Sequence, residues 1–204
     1  MLQGSNLECA RGDRVLFSGI NFSIKPGELM QVRGPNGSGK TSLLRMLCGL
    51  TVPSSGEINW NGTSIRSLGA DYFSMITYLG HLSGVKDDLT AIENLRITSA
   101  LAGVAIDEKI AYEALQKMGL EERETLLAKV LSQGQKRRVA LARLILVNTK
   151  LWILDEPLTA LDVSAIELIK NIIERYLAQG GMVILTTHQE IDISATVTHQ
   201  LYLS

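Results

Sequence analysis

The run Gly34-Pro35-Asn36-Gly37-Ser38-Gly39-Lys40-Thr41 constrains this chain more than any other feature. It fills every fixed position of the pattern G-x-x-x-x-G-K-S/T. It lies between residues 29–33, which read as an apolar strand, and residues 41–50, where Leu43, Leu44, Leu47 and Leu50 fall on one helical face. In that setting glycines let successive backbone N–H groups curl around phosphate oxygens, and the new helix aims its positive end at them. Lys40 is placed to reach the β- and γ-phosphates, and the Thr41 hydroxyl is placed to ligate Mg²⁺. Ser42 extends the ATP-binding segment into the helix. These residues imply nucleoside triphosphate binding and leave kinase, GTPase and ATPase open.

A second feature narrows the choice. Leu151-Trp152-Ile153-Leu154 is a continuous apolar run that delivers Asp155 and Glu156 at its end, where open α/β sheets place their ligands. Asp155 fits the partner of a phosphate-bound Mg²⁺ ion. Glu156, one residue further, fits a base that orients attacking water.

The remaining pattern sets these motifs on an alternating scaffold. Residues 2–17 read as short strands around Gly12-Asp13, and Ile20, Phe22 and Ile24 alternate as in a half-buried strand before Pro26-Gly27. Residues 57–60 form a further short strand before Asn61-Gly62. Residues 90–102, 107–118 and about 133–147 read as helices, with Asp107 an N-cap and Gly119 a C-terminal stop. Residues 165–176 carry a helical apolar face closed by Gly180-Gly181, and residues 182–187 form another apolar strand. Buried strands joined by helical crossovers mean a parallel sheet. Twenty Lys and Arg against 21 Asp and Glu give a net charge of −1, which leaves no overall basic field to hold nucleic acid. Cys9 and Cys48 have neither metal-ligand spacing nor the density of a disulfide framework, so they read as buried thiols. Residues 1–14 lack the apolar stretch of a signal peptide, and no 18 consecutive apolar residues occur, so no membrane span is expected.

Three more segments carry a family resemblance. Leu131-Ser132-Gln133-Gly134-Gln135 resembles the LSGGQ signature of ABC-type ATPases. Thr159-Ala160-Leu161-Asp162 resembles the D-loop of that family, and His188 in Leu185-Thr186-Thr187-His188 resembles its switch histidine. With the phosphate loop and the Asp-Glu strand, five motifs in family order cover residues 34–188. The resemblance implies an α/β fold: a P-loop NTPase core with a predominantly parallel sheet, an antiparallel β subdomain and an inserted helical subdomain. It implies one ATPase domain over residues 1–204, with the core at 1–80 and 146–204 and the helical part at about 81–145. It also implies a homodimer of ATPase chains stacked head to tail, with ATP and Mg²⁺ between the phosphate loop of one copy and the signature of the other. His188 is then expected at the γ-phosphate, sharing catalysis with Glu156 and Lys40. Lys136-Arg137-Arg138, which follow the signature, read as a solvated basic face and a poor nucleic-acid patch.

The chain departs from the family pattern at three places. Gln133 replaces the first signature glycine. Arg11 or Ala10 stands where the family has an adenine-stacking aromatic, and the Arg11 guanidinium can stack on a base. His81 occupies the Q-loop position, where its nitrogen is expected to join Thr41 and Asp155 near the metal and to add a titratable group. His81, Ser83-Gly84-Val85-Lys86, Leu89-Thr90, the Arg11-Gly12-Asp13-Arg14 opening and the early C-terminus together resemble ATPase subunits of cytochrome c maturation systems. That resemblance implies ATP hydrolysis coupled to haem export or to release of a haem-loaded chaperone. It implies a peripheral place on the cytoplasmic face of a bacterial inner membrane, a separate integral membrane transporter subunit as partner, and no nucleic acid. Another small-cargo or lipid exporter ATPase is the alternative. A soluble ABC ATPase of DNA repair or the ribosome would carry coiled-coil, zinc or duplicated-domain insertions, and a small-molecule P-loop kinase has no need of residues 131–135.

Overall fold

The computed structural model describes residues 1–188 and 191–204 and divides the chain into two compact units. The first comprises Met1–Gly80, Thr149–Glu156 and Ile173–Ser204, and the second His81–Asn148 and Pro157–Ile172.

The first unit holds two sheets. β1 (Leu2–Arg11) and β2 (Arg14–Ile24) form a hairpin closed by Gly12-Asp13, and β4 (Ser55–Trp60) and β5 (Thr63–Ser64) extend it into an antiparallel sheet of order β2-β1-β4-β5. Residues 14–24, expected as separate short strands, are one strand whose register shifts against β1 at three places. These irregularities break the alternation that marks a regular strand in sequence. The second sheet is wholly parallel, with β3 (Glu28–Arg33), β6 (Ile76–Leu79), β7 (Leu151–Leu154), β8 (Met182–Thr186) and β9 (Val197–Tyr202) in the order β6-β7-β8-β3-β9. Every residue of β7 and β8 is buried, as their unbroken apolar runs require of central strands. The edge strands β6 and β9 are short or half polar, and no strand was expected at either from the sequence.

This unit holds α1 (Lys40–Leu47), α2 (Ile65–Leu68) and α3 (Ala70–Ser74) whole. Leu43, Leu44, Met46 and Leu47 of α1 pack into one core with Leu7, Phe17, Ile58, Trp60, Tyr72, Ile153 and Ile184. The Tyr72 ring meets Trp60 edge-on at 5.8 Å, and its hydroxyl donates to the Leu47 carbonyl at 2.6 Å. Elsewhere the Trp152 and Tyr176 rings stack at 3.7 Å and 3°. Gly181 sits under that stack: a Cβ there would meet the Tyr176 ring at 2.3 Å, so the glycine serves close packing as well as ending the preceding helix.

The second unit is helical. α4 (Ala91–Leu101), α5 (Glu108–Lys117) and α6 (Gln133–Ala142) pack on one another, burying Ile92, Leu95, Ala111, Leu115 and Val139. The helix expected to reach residue 147 ends earlier, passing into a 3-10 turn at Arg143–Ile145. Asp107 caps α5 through Ile110 N–H, and Thr90 with Glu93 forms a reciprocal capping box on α4. Buried Asn94 accepts from Lys86 N–H at 2.7 Å and donates to the Lys86 carbonyl at 2.9 Å, fastening the loop after His81 to α4. α7 (Val163–Ala178) starts in the second unit and ends in the first. Among the described residues no helix is long and apolar enough to cross a membrane.

Candidate functional site

The phosphate loop joins β3 to α1, and the backbone is arranged for it. Gly34, Gly37 and Gly39 have φ of 147°, 81° and 96°, in the region that only glycine enters without strain. At Gly34 a Cβ would also meet the Leu203 carbonyl oxygen at 2.3 Å. Gly39 precedes α1 without a side-chain cap, and no acidic residue occupies the first turn, as an N-terminus that receives an anion requires. The Lys40 ammonium folds over the loop and donates to the Gly34 and Pro35 carbonyls at 2.8 and 3.1 Å. The buried Ser38 hydroxyl has no hydrogen-bond partner among the described residues. Beside the loop opens a cavity of about 410 Å³, lined by Arg11, Asn36, Lys40, Thr41, Ser42 and Glu156 among others. Arg11 and Arg14 both line it, opposite each other across the β1–β2 turn, and the sequence singled out only Arg11.

The end of β7 meets this loop. The Thr41 hydroxyl donates to Asp155 Oδ2 at 2.8 Å, and the Thr186 hydroxyl donates to Asp155 Oδ1 at 2.7 Å. Thr186 also accepts from Glu156 N–H at 2.8 Å, and Glu156 Oε1 lies 3.0 Å from His188 Nε2. Thr41, the adjacent pair Asp155 and Glu156, and His188 therefore form one polar chain, with Thr186 as the link that motif spacing did not reveal. Tyr78 reports the electrostatics nearby: burial, with the negative charge of Asp155 and then Cys48, pushes its hydroxyl up to about 12. The Cys9 and Cys48 thiols are free and buried, and burial pushes both upward.

The signature lies in the second unit, where Leu131 is buried and Ser132 and Gln133 are exposed. Ser132 Oγ accepts from Gln135 N–H at 3.2 Å while Gln135 Oε1 accepts from Ser132 N–H at 2.8 Å, a capping box that starts α6. The spacing S-x-x-Q was the available signal for it. A Cβ at Gly134 would meet the Ala160 carbonyl oxygen at 2.6 Å, which accounts for a glycine here. Asp162 caps α7 through Ala165 N–H at 2.8 Å. His81 is exposed, and its carbonyl accepts from Arg137 Nη1 at 3.2 Å. The described residues contain no cluster of three or more His, Cys, Asp and Glu side chains suited to a metal ion.

The basic triplet corrects an expectation. Lys136, Arg137 and Arg138 do not form a solvated face: Arg137 is 5% exposed, and the side chains of Lys136 and Arg138 are 13% and 17% exposed. Lys136 pairs with Asp87, Arg137 donates to the Pro157 carbonyl, and Arg138 donates to Asp162 and to the Gly119 carbonyl. Their partners stand 49, 20 and 24 residues away, which is why neighbouring sequence gave no sign of them.

A family profile described as "ABC transporter" matches residues 17–159. The chain is 66% identical over 203 residues to the cytochrome c biogenesis ATP-binding export protein CcmA of Nitrosospira multiformis, covering 100% of this chain and 98% of that protein. It is 67% identical over 204 residues to the protein of the same name from Nitrosomonas europaea, covering 100% of this chain and 96% of that one. A dimeric ATP-binding cassette solved in a post-hydrolysis state with ADP and Pi superposes with a TM-score of 0.80 at 26% identity, over 93% of this chain and 88% of that one. The ATP-binding subunit of an ABC transporter gives a TM-score of 0.79 at 26% identity, over 92% of this chain and 79% of that one.

Proposed function

The chain belongs to the ABC transporter family as one of its ATP-binding, ATP-hydrolysing members, and from that premise we propose that it is the energy-coupling subunit of a membrane exporter serving c-type cytochrome biogenesis. The pathway rests on identity of up to 67% over the whole chain with proteins of that name. The catalytic reading rests on one observation, the chain of polar contacts from Thr41 through Asp155, Thr186 and Glu156 to His188.

In this reading the backbone N–H groups of residues 37–42 and the Lys40 ammonium hold the phosphates. Lys40 exchanges its two loop carbonyls for phosphate oxygens, and Ser38 gains the partner it lacks. The nucleoside lies along the wall formed by Arg11 and Asn36. The Thr41 hydroxyl and the Asp155 carboxylate are hard oxygen groups held 2.8 Å apart, a donor set that suits Mg²⁺ and would hold it. Mg²⁺ bound with the nucleotide supplies neutralisation of phosphate charge. Glu156 takes the proton of the attacking water, and His188, held against Glu156 Oε1, is turned toward the γ-phosphate. Ser132–Gln135 of a second copy, stacked head to tail, complete each site, with Asp162 in the loop beside them. His81 couples the site to an integral membrane subunit on the cytoplasmic face of the inner membrane, and the two units work as a single ATPase domain.

The test of the pathway is genetic. A strain carrying only the Lys40→Ala form is expected to make no covalent c-type cytochromes while keeping b-type cytochromes, read by haem-stained gels and reduced-minus-oxidised spectra. Normal c-type levels would remove the pathway and leave the ATPase reading in place.

A further inference from the structure

Glu156 sits in a conformation that its own chemistry disfavours. Its φ of 50° puts a residue with a Cβ in the left-handed region. It also precedes Pro157, whose ring drives the residue before it toward extended backbone. Such strain persists only where the surroundings over-determine it, so each side of Glu156 should be held. On its amino side the Glu156 N–H donates to Thr186 Oγ1 at 2.8 Å. On its carboxyl side the next carbonyl, that of Pro157, accepts from Arg137 Nε at 3.2 Å.

Arg137 does more than cap that carbonyl. Its Nη1 donates to the His81 carbonyl at 3.2 Å, so one planar guanidinium spans two backbone segments. His81 and Pro157 are the residues at which the chain passes into the second unit after β6 and after β7. Those two strands pair in parallel, with Leu79 beside Leu154. Burying a guanidinium is costly unless its donors are satisfied, and the side chain is only 5% exposed. Arg137 is therefore fixed by its acceptors, and its acceptors are fixed by it.

We propose that Arg137 is a positioning residue for Glu156: it anchors the Pro157 carbonyl, ties it to the His81 segment, and so prevents Glu156 from relaxing toward extended backbone. This rests on the reading of Glu156 as the base. Lysine at this position keeps the charge but loses the fork that reaches both carbonyls.

The experiment compares Arg137→Lys, Arg137→Met, Glu156→Gln and the Arg137→Met/Glu156→Gln double variant of the full chain, by ATP turnover and thermal melting. Arg137→Met is expected to lower kcat at least about tenfold while ATP KM moves less than about threefold, the mark of a misplaced group rather than a lost binding contact. Arg137→Lys should fall between it and the wild type. In the Glu156→Gln background Arg137→Met should cost nothing further. A kcat within twofold of wild type in Arg137→Met, or the same fold loss in both backgrounds, would overturn the inference. Wild-type turnover in Glu156→Gln would instead overturn the assignment of the base. Should Arg137→Met not fold, Arg137→Gln, which keeps a donor and much of the volume, carries the same comparison.

Discussion

Two helices in this protein begin at its sequence motifs, α1 at the phosphate loop and α6 at the signature, and they begin differently. α1 starts after Gly39 with no side-chain cap and no acid in its first turn, beside a buried Ser38 hydroxyl without a hydrogen-bond partner among the described residues. α6 starts with its capping needs already met, by the reciprocal bonds of Ser132 and Gln135. An uncapped N-terminus holds several unsatisfied donors, so an anion there is bound strongly. A capped one is rigid before any ligand arrives and has fewer donors to offer. The contrast leaves α1 the more open N-terminus for an anion and α6 the more rigid one, which is what the proposed division between phosphate loop and signature requires.

The largest expected effect is at the uncapped end. Lys40→Ala should lower ATP hydrolysis at least about a hundredfold, since under the proposed function it removes a preorganised charge from the transferring phosphoryl group. It should also weaken ATP binding strongly, because it removes the ammonium that now folds over the loop onto the Gly34 and Pro35 carbonyls. Steady-state hydrolysis within threefold of wild type would break the comparison outright.

The same contrast explains what could be read in the sequence. The phosphate loop, the apolar strand before Asp155 and the capping of α5 by Asp107 are local, and each is decided within about ten residues. The central strands β7 and β8 were legible because burial on both faces demands unbroken apolar runs. β9 was not, because an edge strand such as Val-Thr-His-Gln-Leu-Tyr needs only half its side chains covered. The sequence places Thr186 in a strand over residues 182–187 and says nothing more of it; its place between Asp155 and Glu156 follows from the pairing of β7 with β8. The basic triplet was misread for the same reason. Lys136, Arg137 and Arg138 look solvated until the fold brings Asp87, Pro157 and Asp162 to them.

An intermediate effect is expected at the capped end. Ser132→Ala removes the side-chain half of the box, which should cost about 1 kcal/mol of stability. If the signature acts only after nucleotide is bound, ATP affinity of the monomer should stay within about twofold of wild type while turnover falls about tenfold. Equilibrium binding with a fluorescent ATP analogue and steady-state hydrolysis separate the two. An equal loss in both would put the signature among the primary binding groups and erase the distinction drawn between the two helix starts.

The smallest effect tests whether the surroundings of the signature are held by charge. Asp162 accepts from Ala165 N–H at 2.8 Å and from the Ser164 hydroxyl at 2.9 Å, and Arg138 donates to its other oxygen at 2.7 Å. These bonds, in that order, with the Arg138 charge, hold its carboxyl below the usual carboxylate range. A carboxyl depressed in the folded chain contributes stability that is full above its unfolded value, roughly 3.9, and is lost as pH falls through the folded one. Asp162→Asn keeps an oxygen that caps helices well, and removes the charge together with the second oxygen that accepts from Arg138. Its melting temperature should therefore lie slightly below wild type at pH 7, by less than for Ser132→Ala. The gap should hold down to about pH 4 and close below it, since every other titrating group is common to the two proteins. Because the Asp162 side chain is 60% exposed, 1 M salt should narrow the gap at pH 7 as well. A gap that persists at pH 3, or that ignores salt, would mean that geometry alone, not the pairing with Arg138, holds Asp162 in place.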